Sequence, residues 1–316
     1  MTAEPSEPSK AELVAAHCWE ADDRVPRDPG MTAFRRRARL HQARWRDAHG
    51  HPIGTQPIDP PAGRPARLVG SRLPLDYARE TGANFVTAGA RAAAAGRMAT
   101  KEPRQSVDVQ RLWADLLWSP ALACNLFGDL AGDPGLADRA LHTWWPDVPG
   151  TVQEVRFLYS PGWLDLAYTG SLVSFGAAFM LDGGVVGVDA AYVDRAKRQV
   201  PKPIRIDHYL AIAERSGVFA PHLADEMSNG SELVVMWLRH LLVLSMLQHP
   251  SDRWRWGRLV VVHPAGNAAT ADLCARYREL LVDDASFTST TIEELLAAGA
   301  LPPATTSALR DRYVID

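Results

Sequence analysis

Cysteine is scarce in this sequence. Its 316 residues include three, Cys18, Cys124 and Cys274. They are too few and too widely spaced for a disulfide framework or a paired-thiolate metal site, and they suit a reducing compartment. A long uninterrupted apolar run is also missing. The most apolar stretch, "LVVMWLRHLLVLSMLQH" (233–249), is short for a bilayer and carries Arg239 and His240 at its centre. It reads as a buried helix, and no membrane association is expected. The start, "MTAEPSEPSKAE", has neither a basic opening nor an apolar core, which argues against a secretory signal, so a cytoplasmic location is expected. Nor is there an excess of positive charge: 34 Lys and Arg against 37 Asp and Glu leave a net −3. Nucleic-acid binding would therefore have to come from a local basic patch. No Gly-rich phosphate loop, Gly-x-Ser-x-Gly elbow or His-Glu-x-x-His pair occurs, so none of the chemistries those motifs carry has support.

What is present describes a globular chain. Hydrophobic residues make up 47% and charged residues 22%, enough to bury a sizeable core. Residues 1–10 read as a disordered tail. Helical patterns follow near 10–22, 31–48, 72–82, 85–98 and 106–118, with a Pro- and Gly-rich loop at 50–66. Near 150 the character changes. "TVQEVRFLYS" (151–160) reads as a strand, and "SLVSFGAAFMLDGGVVGVDAAYV" (171–193) holds two apolar runs around Asp182-Gly183-Gly184, a tight-turn signal. Near-continuous apolar strands indicate a sheet covered on both faces. Helices at about 204–216, 231–249, 267–283 and 291–298, with a further strand at 258–264, complete an α/β reading: a central mixed sheet flanked by helices. The expected division is a helical N-terminal region (11–105), an α/β domain (106–300) and a C-terminal tail (301–316).

Two groups of residues attract a chemical reading. "FRRRARLHQARWR" (34–46) contains Arg35, Arg36, Arg37, Arg39, Arg44 and Arg46. At helical spacing Phe34, Ala38 and Trp45 turn inward, and the arginines form either a solvated face or a phosphate-contacting one. Arg35, Arg36, Arg39 and Arg46 are the expected nucleic-acid contacts, on an exposed surface. The second group is Arg239 inside its apolar helix, where a buried guanidinium needs an acid or a phosphate; a structural ion pair is the preferred reading. In "VVHPAGN" (261–267), Asn267 reads as a helix cap.

Several stretches, in order, resemble a bacterial family of restriction type within the PD-(D/E)XK nuclease superfamily. They are "ARLHQARWRD" (38–47), "GSRL" (70–73), "NFVT" (84–87), "SPALACNLFGDL" (119–130), "VRFLYSPG" (155–162), "YTGSLVSF" (168–175), "MWLRHLLVLSML" (236–247), "VVVHPAGN" (260–267) and "FTSTTIEEL" (287–295). The resemblance implies a PD-(D/E)XK nuclease-like α/β core. It also implies an aspartate on the second strand and an acid on the third to hold Mg²⁺, with a lysine two residues after that acid to manage the attacking water. Acid and lysine at i and i+2 share one sheet face. This sequence departs from the pattern. Gly176 stands where the second-strand aspartate is expected and Ala191 where the lysine is expected. Leu158 replaces an expected glutamate and Ser171 an expected aspartate. Asp189 alone survives as an acid of that site, and would be the metal ligand if a metal is bound.

Three functions follow as expectations. The first is a catalytically inactive nuclease-fold protein that binds double-stranded DNA or serves as an assembly module, without a cofactor. The second is an active Mg²⁺-dependent endonuclease with relocated residues, for which Lys197 is a candidate that strand geometry carries past the site. The third is a regulatory subunit that contacts other proteins and no nucleic acid. The reading leans away from an enzyme.

Overall fold

The computed structural model describes residues 7–24, 29–60, 63, 65–102, 105 and 107–315. The expected tail at 1–10 lies outside these for 1–6; Ser9 already caps the first helix, its hydroxyl accepting from the Glu12 amide. Helices α1 (Lys10–Ala15) and α2 (Pro29–Ala48) open the chain, followed by a two-strand antiparallel ribbon, β1 (Gly54–Gln56) and β2 (Arg67–Val69). The Pro/Gly segment at 50–66 is thus not all loop. Helices α3 (Leu75–Thr81), α4 (Ala88–Ala99), α5 (Val109–Ala114), α6 (Ser119–Ala131) and α7 (Pro134–Trp144) complete the N-terminal half.

The central sheet has five strands in sequence order: β3 (Val152–Tyr159), β4 (Phe175–Leu181), β5 (Gly184–Ala190), β6 (Trp256–His263) and β7 (Phe287–Thr291). The first three form an antiparallel meander, with Gly183 at φ 72° in the turn between β4 and β5. The pairs β5–β6 and β6–β7 are parallel, so the sheet is mixed, as expected. Helices α8 (Pro203–Ser216), α9 (Leu223–Ser228) and α10 (Val234–Leu247) make the crossover from β5 to β6, and α11 (Ala268–Arg278) makes the next. Two helices close the chain, α12 (Ile292–Ala297) and α13 (Pro303–Tyr313).

Strand alternation splits the core in two. Ala177, Phe179, Val186, Val188, Val260 and Val262 face a cluster built with α6, α7 and the terminal helices. Met180, Val185, Leu259 and Val261 face α8, α10 and α11. Both faces are covered, which is why β4, β5 and β6 are nearly all apolar. The missing side chain at Gly187 is filled by the Phe175 ring, 2.5 Å from where a Cβ would stand. Leu158, near the end of β3, adopts a left-handed φ of 46°, and its carbonyl accepts from Gln105 Nε2 at 3.1 Å and Arg97 Nη2 at 3.4 Å.

Two expectations need correction. The 301–316 segment is not a tail: α13 packs on α2 and α12, and Arg312 and Tyr313 are buried. Residues 287–291 form an edge strand where none was expected, because a polar Thr/Ser run carries no apolar signal.

His240, inside α10, bonds Tyr277 Oη at 3.0 Å and Ser286 Oγ at 2.9 Å. Burial lowers its pKa from 6.5 to about 3. The unfolded chain takes up this proton more readily than the folded one. The contribution of His240 is therefore fully present above pH 6.5 and drains away as pH falls toward 3. In that window stability should fall by about 1.4 kcal/mol per pH unit from this group. Thermal melts of the wild type and His240→Gln should show a shallower acid slope in the variant.

Candidate functional site

At the carboxyl ends of the parallel strands β5 and β6 lies a cavity of about 650 Å³, the position where open α/β sheets bind ligands. Its walls include Ser119, Gly176, Asp189, Asp194, Lys197 and Arg239. Asp189 stands on the α10 side of β5, in alternation with Val185 and Gly187. Residues Ala177 and Val188 pair across β4 and β5, so Gly176 falls level with Asp189. A Cβ at 176, however, would lie 3.2 Å from the Ala123 Cβ on α6, so a carboxylate there would start against that helix. Ala191 follows the end of β5, its amide donating to the Val262 carbonyl at 2.8 Å.

Arg239 decides the chemistry of this cavity. Its Nη1 donates to the Asp189 carboxylate, and its Nε donates to the Ser174 carbonyl at 3.3 Å. Among the described residues Asp189 is the acid this guanidinium bonds, and the preferred reading of a structural ion pair is what the geometry gives. Asp189 keeps 12% and Arg239 27% of its side-chain area open, so the pair is half-sunk and faces the cavity.

Asp194 lies beside this pair. Ser119 Oγ donates to its carboxylate and accepts from the Tyr192 amide at 2.9 Å. The pKa of Asp194 is raised, first by the crowding of protein around it, against the Ser119 hydrogen bond, and further by the Asp189 charge. By surface area Asp194 is nevertheless open to the cavity. Water therefore reaches it.

After β5 the chain turns into irregular backbone instead of running on. This brings Lys197 back to line the same cavity, against the strand-geometry expectation. Asp182 sits in the turn at the far end of the hairpin, as expected. Asp194, Arg195 and Lys197 also line a second cavity of about 630 Å³, shared with Arg35, Arg72 and Arg111. No hydrogen bond or ion pair engages Arg35, Arg195 or Lys197 among the described residues.

The basic helix differs from its expectation. Arg39 is 2% exposed and bonded to Asp23, with Glu20 at 3.3 Å; Arg46 is 4% exposed, bonded to Asp47 and to the Gly70 carbonyl at 2.6 Å. Arg36 pairs with Glu7. Arg39 and Arg46 are therefore core ion-pair residues and not an exposed phosphate-contacting face. Of the four expected contacts, Arg35 is the one left facing a cavity unpaired. The acids that neutralise Arg36 and Arg39, namely Glu7, Glu20 and Asp23, lie in the segment before α2, which helical spacing cannot reveal. Arg39→Ala should cost about 3–5 kcal/mol, since it strands Asp23 in a buried site, whereas Arg35→Ala should stay within about 0.5 kcal/mol. Chemical denaturation of the two variants checks this contrast.

Mg²⁺ asks for several oxygen ligands in near-octahedral array. The donors here do not fit it. Asp189 is engaged by Arg239, Asp194 by Ser119, and the second-strand position is glycine. Among the described residues no cluster of three or more His, Cys, Asp or Glu could hold a metal.

A family model described as the PD-(D/E)XK nuclease superfamily matches residues 23–315. The chain belongs to this superfamily. Searches of curated proteins and of solved structures found no match. Membership accounts for the mixed sheet flanked by helices. For a PD-(D/E)XK nuclease-superfamily chain, the departures at Leu158, Gly176 and Ala191 now have structural counterparts. All three line the cavity, together with Arg239. The sequence signalled Arg239 as a buried cation in need of a partner. It gave no signal for Ser119, Asp194 or Arg195, which converge only through tertiary folding. Among the described residues no helix is long and apolar enough to cross a membrane.

Proposed function

We propose that this superfamily member binds double-stranded DNA along the seam of its two cavities without cutting it. The observation that carries the reading is the Arg239–Asp189 pair: the surviving acid is neutralised by a protein cation instead of offering a metal site. Binding is supported by Arg35, Arg195 and Lys197, unpaired cations along one continuous seam of a chain whose net charge is −3. Such cations neutralise phosphates and release counterions, so affinity should fall steeply with salt.

The test is anisotropy of a labelled duplex in EDTA over a salt series. The triple variant Arg35→Glu/Arg195→Glu/Lys197→Glu should lose binding at all salts and flatten the salt slope by about 2–3. Retained binding in a folded triple variant, or no wild-type binding at low salt, sinks the DNA reading. The latter outcome favours a role in contacting other protein subunits. The cutting alternative has Lys197 in its favour, since that side chain does reach the cavity.

A further inference from the structure

We infer that Arg239 is a built-in phosphate anchor, a protein cation that takes the place of a metal ion in meeting a phosphodiester at this cavity. The inference rests on the binding reading above and assigns the contact at its centre. A guanidinium has five N–H donors in a planar fork. The bonds to Asp189 and to the Ser174 carbonyl occupy Nη1 and Nε, and leave Nη2 without a protein acceptor while the side chain is 27% open. Those two bonds hold the plane of the fork fixed from two directions. The free edge belongs to a group that lines a cavity of about 650 Å³, which Arg195 and Lys197 also line. A guanidinium is weakly hydrated and matches phosphate oxygens two at a time, so a fixed one gives up little on binding.

Asp189 has a definite part in this arrangement. It orients Arg239 and also competes with the ligand for it. Removing its charge should therefore strengthen binding, a response opposite to that of a metal-ligating acid. The double variant Asp189→Asn/Arg239→Met removes one charge of each sign and leaves the net charge unchanged. A loss of affinity in it reports a lost contact and not a weaker long-range field.

The experiment measures a labelled duplex by anisotropy in EDTA and in Mg²⁺, with thermal melts confirming that each variant folds. Wild type should bind in EDTA with no tightening by Mg²⁺. Asp189→Asn should bind several-fold tighter, and the double variant about ten- to hundred-fold weaker. If the double variant does not fold, Arg239→Lys replaces it; it keeps the charge, loses the fork, and should bind several-fold weaker. Unchanged affinity in a folded double variant or in Arg239→Lys, weakening by Asp189→Asn, or a requirement for Mg²⁺ would each overturn the anchor. A wild type that binds no duplex removes the DNA reading alone. Calorimetry with inorganic pyrophosphate in EDTA then decides the anchor: heat in wild type that vanishes in the double variant upholds it, and no heat in wild type overturns it.

Discussion

Purified protein incubated with Mg²⁺ or Mn²⁺ should leave supercoiled, linear and single-stranded DNA intact under conditions where an active restriction-type enzyme digests them fully. Metal-aided hydrolysis depends on fixed coordination and a positioned water, and loss of either costs several orders of magnitude. On the proposed reading both are compromised. Asp189 is bonded to Arg239, Gly176 offers no ligand, and Ala191 offers no amine. Restoring two side chains should not restore cutting. In Gly176→Asp/Ala191→Lys the new aspartate would begin 3.2 Å from the Ala123 Cβ, and Arg239 would still occupy Asp189. Adding Arg239→Met should give measurable Mn²⁺ binding by calorimetry, because Asp189 is then released. Cleavage by wild type that disappears in Asp189→Ala would show a living site, with Lys197 the first residue to suspect.

Deletion of residues 303–316 should leave a chain that does not fold. Helix α13 does more than add apolar area. Arg312 is fully buried, and no carboxylate bonds it among the described residues. Its Nη1 donates to the Asn84 carbonyl at 2.6 Å, its Nη2 to Asn84 Oδ1 at 2.5 Å and its Nε to Gln42 Oε1 at 3.3 Å, while its plane lies 4.4 Å over the Trp45 ring. Tyr313 Oη accepts from Asn125 at 2.6 Å. One helix thus ties α2, the segment before α4, and α6. Its removal takes one or more partners from each of Gln42, Asn84 and Asn125 and uncovers the Tyr192 ring, which meets the Tyr313 ring edge-on. Net stability of a domain is about 5–15 kcal/mol, and losses on this scale exhaust it. Arg312→Met is the milder version and should cost about 3 kcal/mol or more, from lost charge-assisted bonds. Circular dichroism melts of both variants read the result; native-like cooperative unfolding of the deletion would refute the tie.

The meander was legible because it rests on local rules. Asp182-Gly183 demands a tight turn, and Phe175–Leu181 and Gly184–Ala190 carry no polar side chain but Asp189. The strand at Phe287–Thr291 was not, since only Phe287 is buried and the rest is polar edge. Asp189 stood out by its chemistry, and Arg239 by its cost. Their meeting was hidden by a separation of 50 residues. The arginine helix misled for the same reason: Glu20 and Asp23, which bury Arg39, lie outside the helix and off its period. Lys197 was misplaced by extending a strand past the point where the backbone leaves it.

The left-handed turn at Leu158 has a bearing on how this sheet meets other sheets. An outer strand with free amides and carbonyls is a template for pairing with a second molecule. On β3 that template is interrupted at both ends. The Val152 amide is taken by Asp138 Oδ1 at 2.8 Å, and the Leu158 carbonyl is held by Gln105 and Arg97. Another strand pairing at either end would have to displace these side chains to bond there. The bent backbone at Leu158, whose left-handed conformation costs roughly 1–2 kcal/mol, thereby helps guard the rim of the sheet against aggregation.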